Sequence, residues 1–401
     1  MRYVSPRVIR GNRGDLVSRY GILSALNQRG ISDIAVFCHK PDDIGRLPYP
    51  TVPYGGLYNL FPARQGIQAL HHADAVLWTA GLDLQDDSSL AKLLHLYTVF
   101  TSYRAMGLRI YAAFQGAGPL RTQWGRIMAR LILNLVDGFI ARDAGSYNLV
   151  DSFNSRTRLI LGHDGIFLGN FDLSAISPNE QDAVEALIGH PLGMPLVGFN
   201  LRQWFHFSSS ILPYQYAQKC YLQRSLTAME RYISASVALV TALRKDLGAR
   251  VLLISMYEPG VEPWEDDLPW LSRVKACFND DEHVLLVEQP LTLLAFCKLM
   301  SCLDLMIGTR LHSTLTALRF GVPALNISYT LKGRDIFQHL GFADWVVDLP
   351  DFIQDPIVVA GMATSILARP SIRESVRQRV AGAMEINEHA LDDLLSMAST
   401  E

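Results

Sequence analysis

"DLMIGTRLHSTLTALRFGVPALNIS", residues 304–328, sets two apolar runs on either side of a short helical pattern. Leu303 to Ile307 read as a buried strand and Ser313 to Phe320 as a short helix. Gly321 and Val322-Pro323 are its stop, and Ala324 to Ser328 form a second strand. Strand, turn, helix and strand in so short a span is the repeating unit of a parallel, doubly wound sheet. In such sheets ligands bind beyond the carboxyl ends of the strands, where helix amino termini present free N–H groups to anions. Arg310 and His312 fall on that edge of an otherwise apolar segment.

Similar units lie upstream. "PLVGFNL" (Pro195 to Leu201), a long helix from about Gln218 to Leu247, "RVLLIS" (Arg250 to Ser255), "HVLLVE" (His283 to Glu288) and a helix from Leu291 to Ser301 complete one series. An earlier series alternates short apolar runs at Ile34 to Cys38, Ala75 to Thr79, Ile110 to Phe114 and Gly138 to Ala141 with helical patterns such as Leu16 to Arg29 and Leu90 to Met106. Between the two, Asp164 to Gln181 loses periodicity and gains Gly, Pro, Asn and Ser, the mark of an interdomain linker. The expected organisation is an α/β domain over 1–175, a second over 176–354, and a charged helical tail over 355–401 able to pack back on the first.

The totals agree with two cores. A chain of 401 residues exceeds one ordinary domain, and with 49% hydrophobic residues both halves can bury an interior. A net charge of −3, with both signs scattered, supplies no broad basic field for nucleic acid. The five cysteines, Cys38, Cys220, Cys277, Cys297 and Cys302, form no CxxC pair, which argues against a disulfide framework or a thiolate zinc site and for a reduced compartment. The first residues, "MRYVSPRVIRGNRGD", lack the apolar core of a signal peptide, and no apolar run reaches bilayer length. The expectation is a soluble, cytoplasmic protein, with the inner face of the membrane as one place of work.

Six segments in collinear order carry a family resemblance: "GNRGD" near the start, "ADAVLWTAG" (Ala73 to Gly81), "FQGAGPL" (Phe114 to Leu120), "ARDAGS" (Ala141 to Ser146), "VGFNLRQW" (Val197 to Trp204), and "GTRLHS" with "GVPALNISY". With them the chain resembles the polysaccharide pyruvyl transferase family, which moves the enolpyruvyl unit of phosphoenolpyruvate onto sugar hydroxyls. The resemblance implies a glycosyltransferase B-like α/β fold, two facing Rossmann-like domains with a central cleft, the first on the acceptor side and the second on the donor side. It also implies phosphoenolpyruvate as donor, a sugar or lipid-linked oligosaccharide as acceptor, a pyruvate ketal and phosphate as products, and no cofactor or metal. Where the family shows a richer glycine run, this chain has "TAGLDLQDD", with acids at Asp86 and Asp87.

Phosphoenolpyruvate bears a phosphate and a carboxylate on one carbon skeleton, so its site calls for guanidinium forks. Arg142, Arg202 and Arg310 each follow an apolar strand at its carboxyl edge, although a strand-end arginine can equally cap a helix or pair with a nearby acid. The family motifs favour donor binding by Arg142 and Arg310, with Arg202 open to either reading. His312, close to a dianion, is the candidate acid that protonates the methylene carbon; the alternative is a buried histidine that fixes the turn. An extended turn at Arg310 would put it and His312 on one side, with Ser313 as the helix cap. Asn12 and Asp15 sit in a glycine turn that feeds a helix, where Asp15 can serve as base on a sugar hydroxyl or only cap the helix. Gln115 can line the cleft, although a plain strand-to-helix turn explains its neighbouring glycines as well; Asp143 can orient Arg142 or cap the next helix, and Asp164 can face the cleft or serve as hinge.

Two other functions fit the same fold. One is a sugar-nucleotide glycosyltransferase, for which Glu258, Glu262 and Glu265 lack the usual spacing; the other is a non-catalytic binder of an anionic metabolite. "RTQWGRIMARLILNL", Arg121 to Leu135, combines Arg and Trp on an apolar helix, as in a peripheral membrane contact, but packing of that helix on its own sheet is the commoner cause. Oligomeric state leaves no mark in the sequence.

Overall fold

A computed structural model describes the chain except for residues 54–63, 80, 87–88, 190–192, 204–213, 263–264 and 401. Ala80, Asp87 and Trp204, which belong to segments singled out above, lie outside the described residues.

The first sheet is built from β1 (Tyr3–Ser5), β2 (Ile34–Cys38), β3 (Thr51–Pro53), β4 (Ala75–Thr79), β5 (Arg109–Gln115), β6 (Gly138–Ala141) and β7 (Arg158–Leu161). Its order is β3-β2-β1-β4-β5-β6-β7, and all its pairings are parallel. The second sheet holds β8 (Leu196–Asn200), β9 (Arg250–Ile254), β10 (Val284–Val287), β11 (Leu305–Gly308), β12 (Ala324–Ser328) and β13 (Val346–Asp348) in the order β10-β9-β8-β11-β12-β13, again parallel. Strands buried on both faces need continuous apolar runs, which is why "VLLI" and "LMIG" show no alternation. In each sheet the strand order reverses direction at one place, between β1 and β4 and between β8 and β11. Crevices open at such switch points.

The helices follow as α1 (Arg13–Gln28), α2 (Arg64–His72), α3 (Leu90–Ala105), α4 (Gln123–Leu133), α5 (Ala144–Asp151), α6 (Pro178–Ile188) and α7 (Tyr214–Leu247). After them come α8 (Leu268–Lys275), α9 (Leu293–Cys302), α10 (Leu311–Arg319), α11 (Leu331–His339), α12 (Leu349–Gln354), α13 (Pro356–Leu367) and α14 (Ile372–Thr400). Helix α1 is buried from Arg13 to Leu26, because one side lies on the first sheet and the other on the second domain. Leu16, Val17 and Tyr20 share one apolar core with Leu294, Phe296, Leu315 and Leu318, so the two domains meet across a continuous interior.

Two segments show more than the expected organisation states. The stretch read as the interdomain linker starts buried, with Asp164 to Leu168 wedged against α1. The residues after 354 also do more than return to the first domain. Helix α13 adds Val359, Ala363 and Ile366 to the core of the second domain, while α14 crosses from that domain, at Val376 and Val380, to the first sheet, at Ala390, Leu391 and Leu394. Midway, the buried Asn387 donates to the Asp164 carbonyl (3.0 Å) and accepts from the His163 N–H (2.7 Å), which clamps the crossover from behind.

Candidate functional site

The two switch points face each other across the seam between the domains. After β1 the chain passes Arg7 and reaches a turn at Gly11, whose φ of +67° favours glycine. Asn12 then caps α1, its side-chain oxygen accepting from the Gly14 and Asp15 N–H groups (3.1 and 3.3 Å). Main-chain bonds join this turn to the loop after β9: Arg13 N–H donates to the Met256 carbonyl (3.0 Å), and Glu258 N–H donates to the Gly11 carbonyl (2.8 Å). A Cβ on Gly14 would lie 2.2 Å from the Cβ of His312. The glycine therefore admits the histidine of the other domain.

His312 stands between two carboxylates of the first domain. Its Nε2 is 3.3 Å from Asp164 Oδ2 and its Nδ1 is 3.7 Å from Asp15 Oδ1, with the ring partly open to solvent. Asp164 is buried and also accepts from Ser18 Oγ (2.8 Å), Arg142 Nη1 (3.1 Å) and the Ile166 N–H (3.1 Å). Burial pushes its carboxyl up, but the His312 and Arg142 charges outweigh that and hold it well below the usual carboxylate range. Asp15 is likewise raised by burial and pulled below its ordinary value by Arg7 and then His312. Arg7 binds Asp15 Oδ2 (3.1 Å) and Asp83 Oδ2 (3.0 Å). The result is a largely buried run of Arg7, Asp15, His312, Asp164 and Arg142 in which carboxylates alternate with guanidinium or imidazole groups.

The arginines of the second domain form a separate knot. Arg310 Nε lies 2.9 and 2.8 Å from the two oxygens of the buried Asp267, and its Nη2 reaches Glu265 Oε2 at 3.2 Å. Its guanidinium stacks over the Tyr257 ring, 4.6 Å from the centroid. Arg202 Nη2 donates to both Glu265 oxygens (3.2 and 3.0 Å), and its Nη1 donates to the Tyr329 hydroxyl. One carboxylate, Glu265, thus spans two guanidinium groups. Asn200 ties the knot to the strand ends, accepting from the Arg310 N–H (3.1 Å) and donating to the Ile254 carbonyl (2.8 Å).

Several expectations are corrected here. The turn is extended at Arg310, the cap residue (φ −77°, ψ 117°), but α10 already starts at Leu311 and takes His312 into its first turn, so the two side chains do not share a side. Ser313 does not cap it; it sits in the first turn and donates its hydroxyl to the Arg310 carbonyl (2.7 Å). The extended residue ahead of the helix and the second residue of its first turn project in different directions. Arg310 accordingly turns to Asp267 in its own domain and His312 to Asp15 and Asp164 in the other. Gln115 does not line the cleft: the strand is irregular between Ala112 and Gln115, Phe114 takes a φ of +56°, and the fully buried Gln115 amide donates to the Trp78 carbonyl (3.0 Å). Asp143 keeps one of its two expected roles: it caps α5, accepting from the Ser146 N–H (2.7 Å), and lies 3.9 Å from Arg142 Nε.

In the atypical "TAGLDLQDD" segment, Asp86 is fully buried. It accepts from the Arg121 N–H (2.8 Å), the Thr122 N–H (2.7 Å) and the Thr122 hydroxyl (2.6 Å), anchoring the start of α4. Arg7, Asp267 and Asn387 escape sequence reading. Arg7 alone had a local signal, a cation between a strand and a glycine turn; the other two matter only through partners far along the chain. Among the described residues no cluster of three or more His, Cys, Asp or Glu side chains could hold a metal ion, and no helix is long and apolar enough to cross a membrane. A cavity of about 530 Å³ opens on the other flank of α1, lined by Arg13, Lys40, Glu258 and Phe296 among others, and neither His312 nor Arg310 borders it.

The fold is shared with sugar-nucleotide enzymes. Anabaena Alr3699/HepE, solved with UDP-glucose, superposes with a TM-score of 0.59 at 13% identity, covering 99% of this chain and 100% of that one. The UDP-GlcNAc 2-epimerase of Methanocaldococcus jannaschii gives 0.55 at 12% identity over 92% and 94% of the two chains. The Neisseria meningitidis UDP-GlcNAc 2-epimerase, bound to UDP-GlcNAc, gives 0.55 at 12% over 98% and 100%. At such identities the likeness is one of fold, glycosyltransferase B-like. In sequence, 89 residues are 32% identical to the amylovoran biosynthesis protein AmsJ of Erwinia amylovora, a match over 22% of this chain and only 20% of that relative's length. The polysaccharide pyruvyl transferase profile matches residues 12–330, from the turn that admits His312 through both arginine-bearing strand ends of the second domain, and the chain belongs to that family.

Proposed function

We propose that this transferase moves the pyruvyl group of phosphoenolpyruvate onto two hydroxyls of a sugar unit, giving a pyruvate ketal and inorganic phosphate. The observation that supports it best is His312, set at the seam with each ring nitrogen toward a carboxylate, Asp15 at 3.7 Å and Asp164 at 3.3 Å. Nε2 is within hydrogen-bond reach of Asp164, which orients the ring and leaves its Nδ1 side for proton transfer to a substrate.

The chemistry needs that proton on carbon. His312 delivers it to the donor's methylene, C2 becomes oxocarbenium-like, and one sugar hydroxyl adds there as Asp15 takes up its proton. Return of that proton to the histidine through the 3.7 Å contact restores the acid. The C2–O bond to phosphate then breaks, a second hydroxyl closes the ketal, and its proton leaves with the phosphate. Asp164 holds the ring in orientation, with Arg142 and Ser18 fixing Asp164 in turn.

For the donor's anionic groups the reading uses Arg142, Arg202 and Arg310. Glu265, which spans Arg202 and Arg310, marks the place where an anionic oxygen pair fits between two guanidinium groups. The donor's phosphate takes over that place as Glu265 swings aside. Asn12, engaged as the α1 cap, would meet the substrate only through its amide nitrogen.

The test is incubation of the full chain with phosphoenolpyruvate and a panel of glycans and lipid-linked oligosaccharides. Phosphate release that depends on the acceptor, with a pyruvate ketal detected on the product, is expected. Release of UDP from a UDP-sugar with no release of phosphate would replace this reading with glycosyl transfer.

A further inference from the structure

Helix α4 has two apolar faces, and the domain core uses one. Gly125, Ala129, Ile132 and Leu133 are buried against the first domain. Trp124, Ile127 and Leu131 are instead 69%, 47% and 41% exposed, and Trp124 is the most exposed large apolar side chain among the described residues. Their spacing puts them in one stripe along the helix. On the adjoining α3, Leu94 is 58% exposed as well. Packing on the sheet therefore accounts for only half of this apolar pattern.

The charge on the stripe's own helix and the turn before it has one sign. Arg121, Arg126 and Arg130 are all exposed, and the sequence has no Asp or Glu between Asp87 and Asp137, in a chain whose net charge is −3. A second copy of the chain joined through this face in a two-fold dimer would bring like charges together. A negatively charged apolar interface suits it: Trp and Ile enter the boundary of the acyl chains while Arg meets phosphate. The helix is also held rigidly at the cleft end. Asp86 fixes its first residues, a Cβ at Gly125 would lie 2.2 Å from Asp86 Oδ2, and the preceding segment leaves β5 where the Gln115 carbonyl accepts from the Arg142 N–H (3.1 Å).

We infer that the α3–α4 face of the first domain docks on an anionic lipid bilayer, with Trp124, Ile127 and Leu131 in the interface and Arg121, Arg126 and Arg130 on the headgroups. Docked in this way, the cleft edge near Arg142 lies close to the membrane plane. The inference does not rest on the donor chemistry, and its test needs no turnover.

The full chain is sedimented with vesicles of phosphatidylcholine alone and of phosphatidylcholine with about one third phosphatidylglycerol. The wild type should bind the anionic vesicles and be released by salt. W124S/I127S and R121E/R130E should each weaken that binding by roughly tenfold or more while unfolding at the wild-type temperature. Analytical ultracentrifugation runs alongside. The inference is overturned if the wild type ignores anionic vesicles, binds neutral ones equally well, keeps its binding in both variants, or forms a dimer that W124S/I127S dissolves.

Discussion

Gly14 and His312 are in direct contact across the domain seam: a methyl group on the glycine would sit 2.2 Å from the histidine Cβ and 2.6 Å from its Cγ. A Cβ cannot rotate away, so Gly14→Ala must push α1 and α10 apart. The variant should lose about 1–3 kcal/mol of stability through overpacking and most of its turnover through the displaced ring. Gly361→Ala, in α13 with no atom within 4 Å of the new methyl, should be neutral or slightly stabilising. Chemical denaturation and initial rates check both, and equal behaviour of the two variants would remove the seam contact from the account.

His312→Asn or His312→Gln keeps a hydrogen-bond donor toward Asp164 but has no proton for carbon. Turnover should fall by about 100-fold or more while folding and most of the donor affinity persist. A variant with normal turnover, or one that fails only by no longer binding phosphoenolpyruvate, would make His312 an anchor and not the acid.

Asp164 predicts an acid-dependent stability. Its carboxyl is held well below its ordinary value near 3.8, so its stabilising effect is fully present above that value and fades as the pH falls further toward the folded one. At neutral pH, Asp164→Asn should cost about 3–5 kcal/mol, because Arg142 loses its buried partner. The difference between wild type and variant should narrow on acidification from about pH 7 to about pH 3, as measured by urea denaturation at each pH. A difference that stays constant over that range would falsify the assignment of this carboxylate as a buried anion.

Arg310 is tied to Asp267, which burial raises above its ordinary pKa even beside that guanidinium. Arg310→Ala strands the buried carboxylate and should lower stability by about 3–5 kcal/mol, in addition to weakening the donor. Arg310→Lys should recover part of both, since a point charge replaces a fork only partly. Arg142→Ala and the more open Arg202→Ala should each weaken phosphoenolpyruvate binding by roughly 2–4 kcal/mol in calorimetry. Unchanged affinity in both of these variants would sink the anion-clamp assignment.

Residue order alone establishes the two parallel sheets, because strands such as β9 and β11 must be apolar throughout to be covered on both faces. It also placed Arg142, Arg202, Arg310, Asp15 and His312 at strand ends, since chain order and element type suffice to locate a sheet's carboxyl edge. Which of them meet follows from the packing of the two domains. Arg310 and His312, two residues apart, serve different clusters because α10 begins one residue after Arg310 and turns them apart. Their partners, Asp267 and Asp164, lie 43 and 148 residues away. The glycine of "GNRGD" reads as a turn residue but is required by a histidine nearly three hundred positions later. The exposed stripe of α4 reads as core because apolar spacing records that a face avoids water and not what covers it. Pairings across the chain depend on how two domains pack, and no local pattern encodes that.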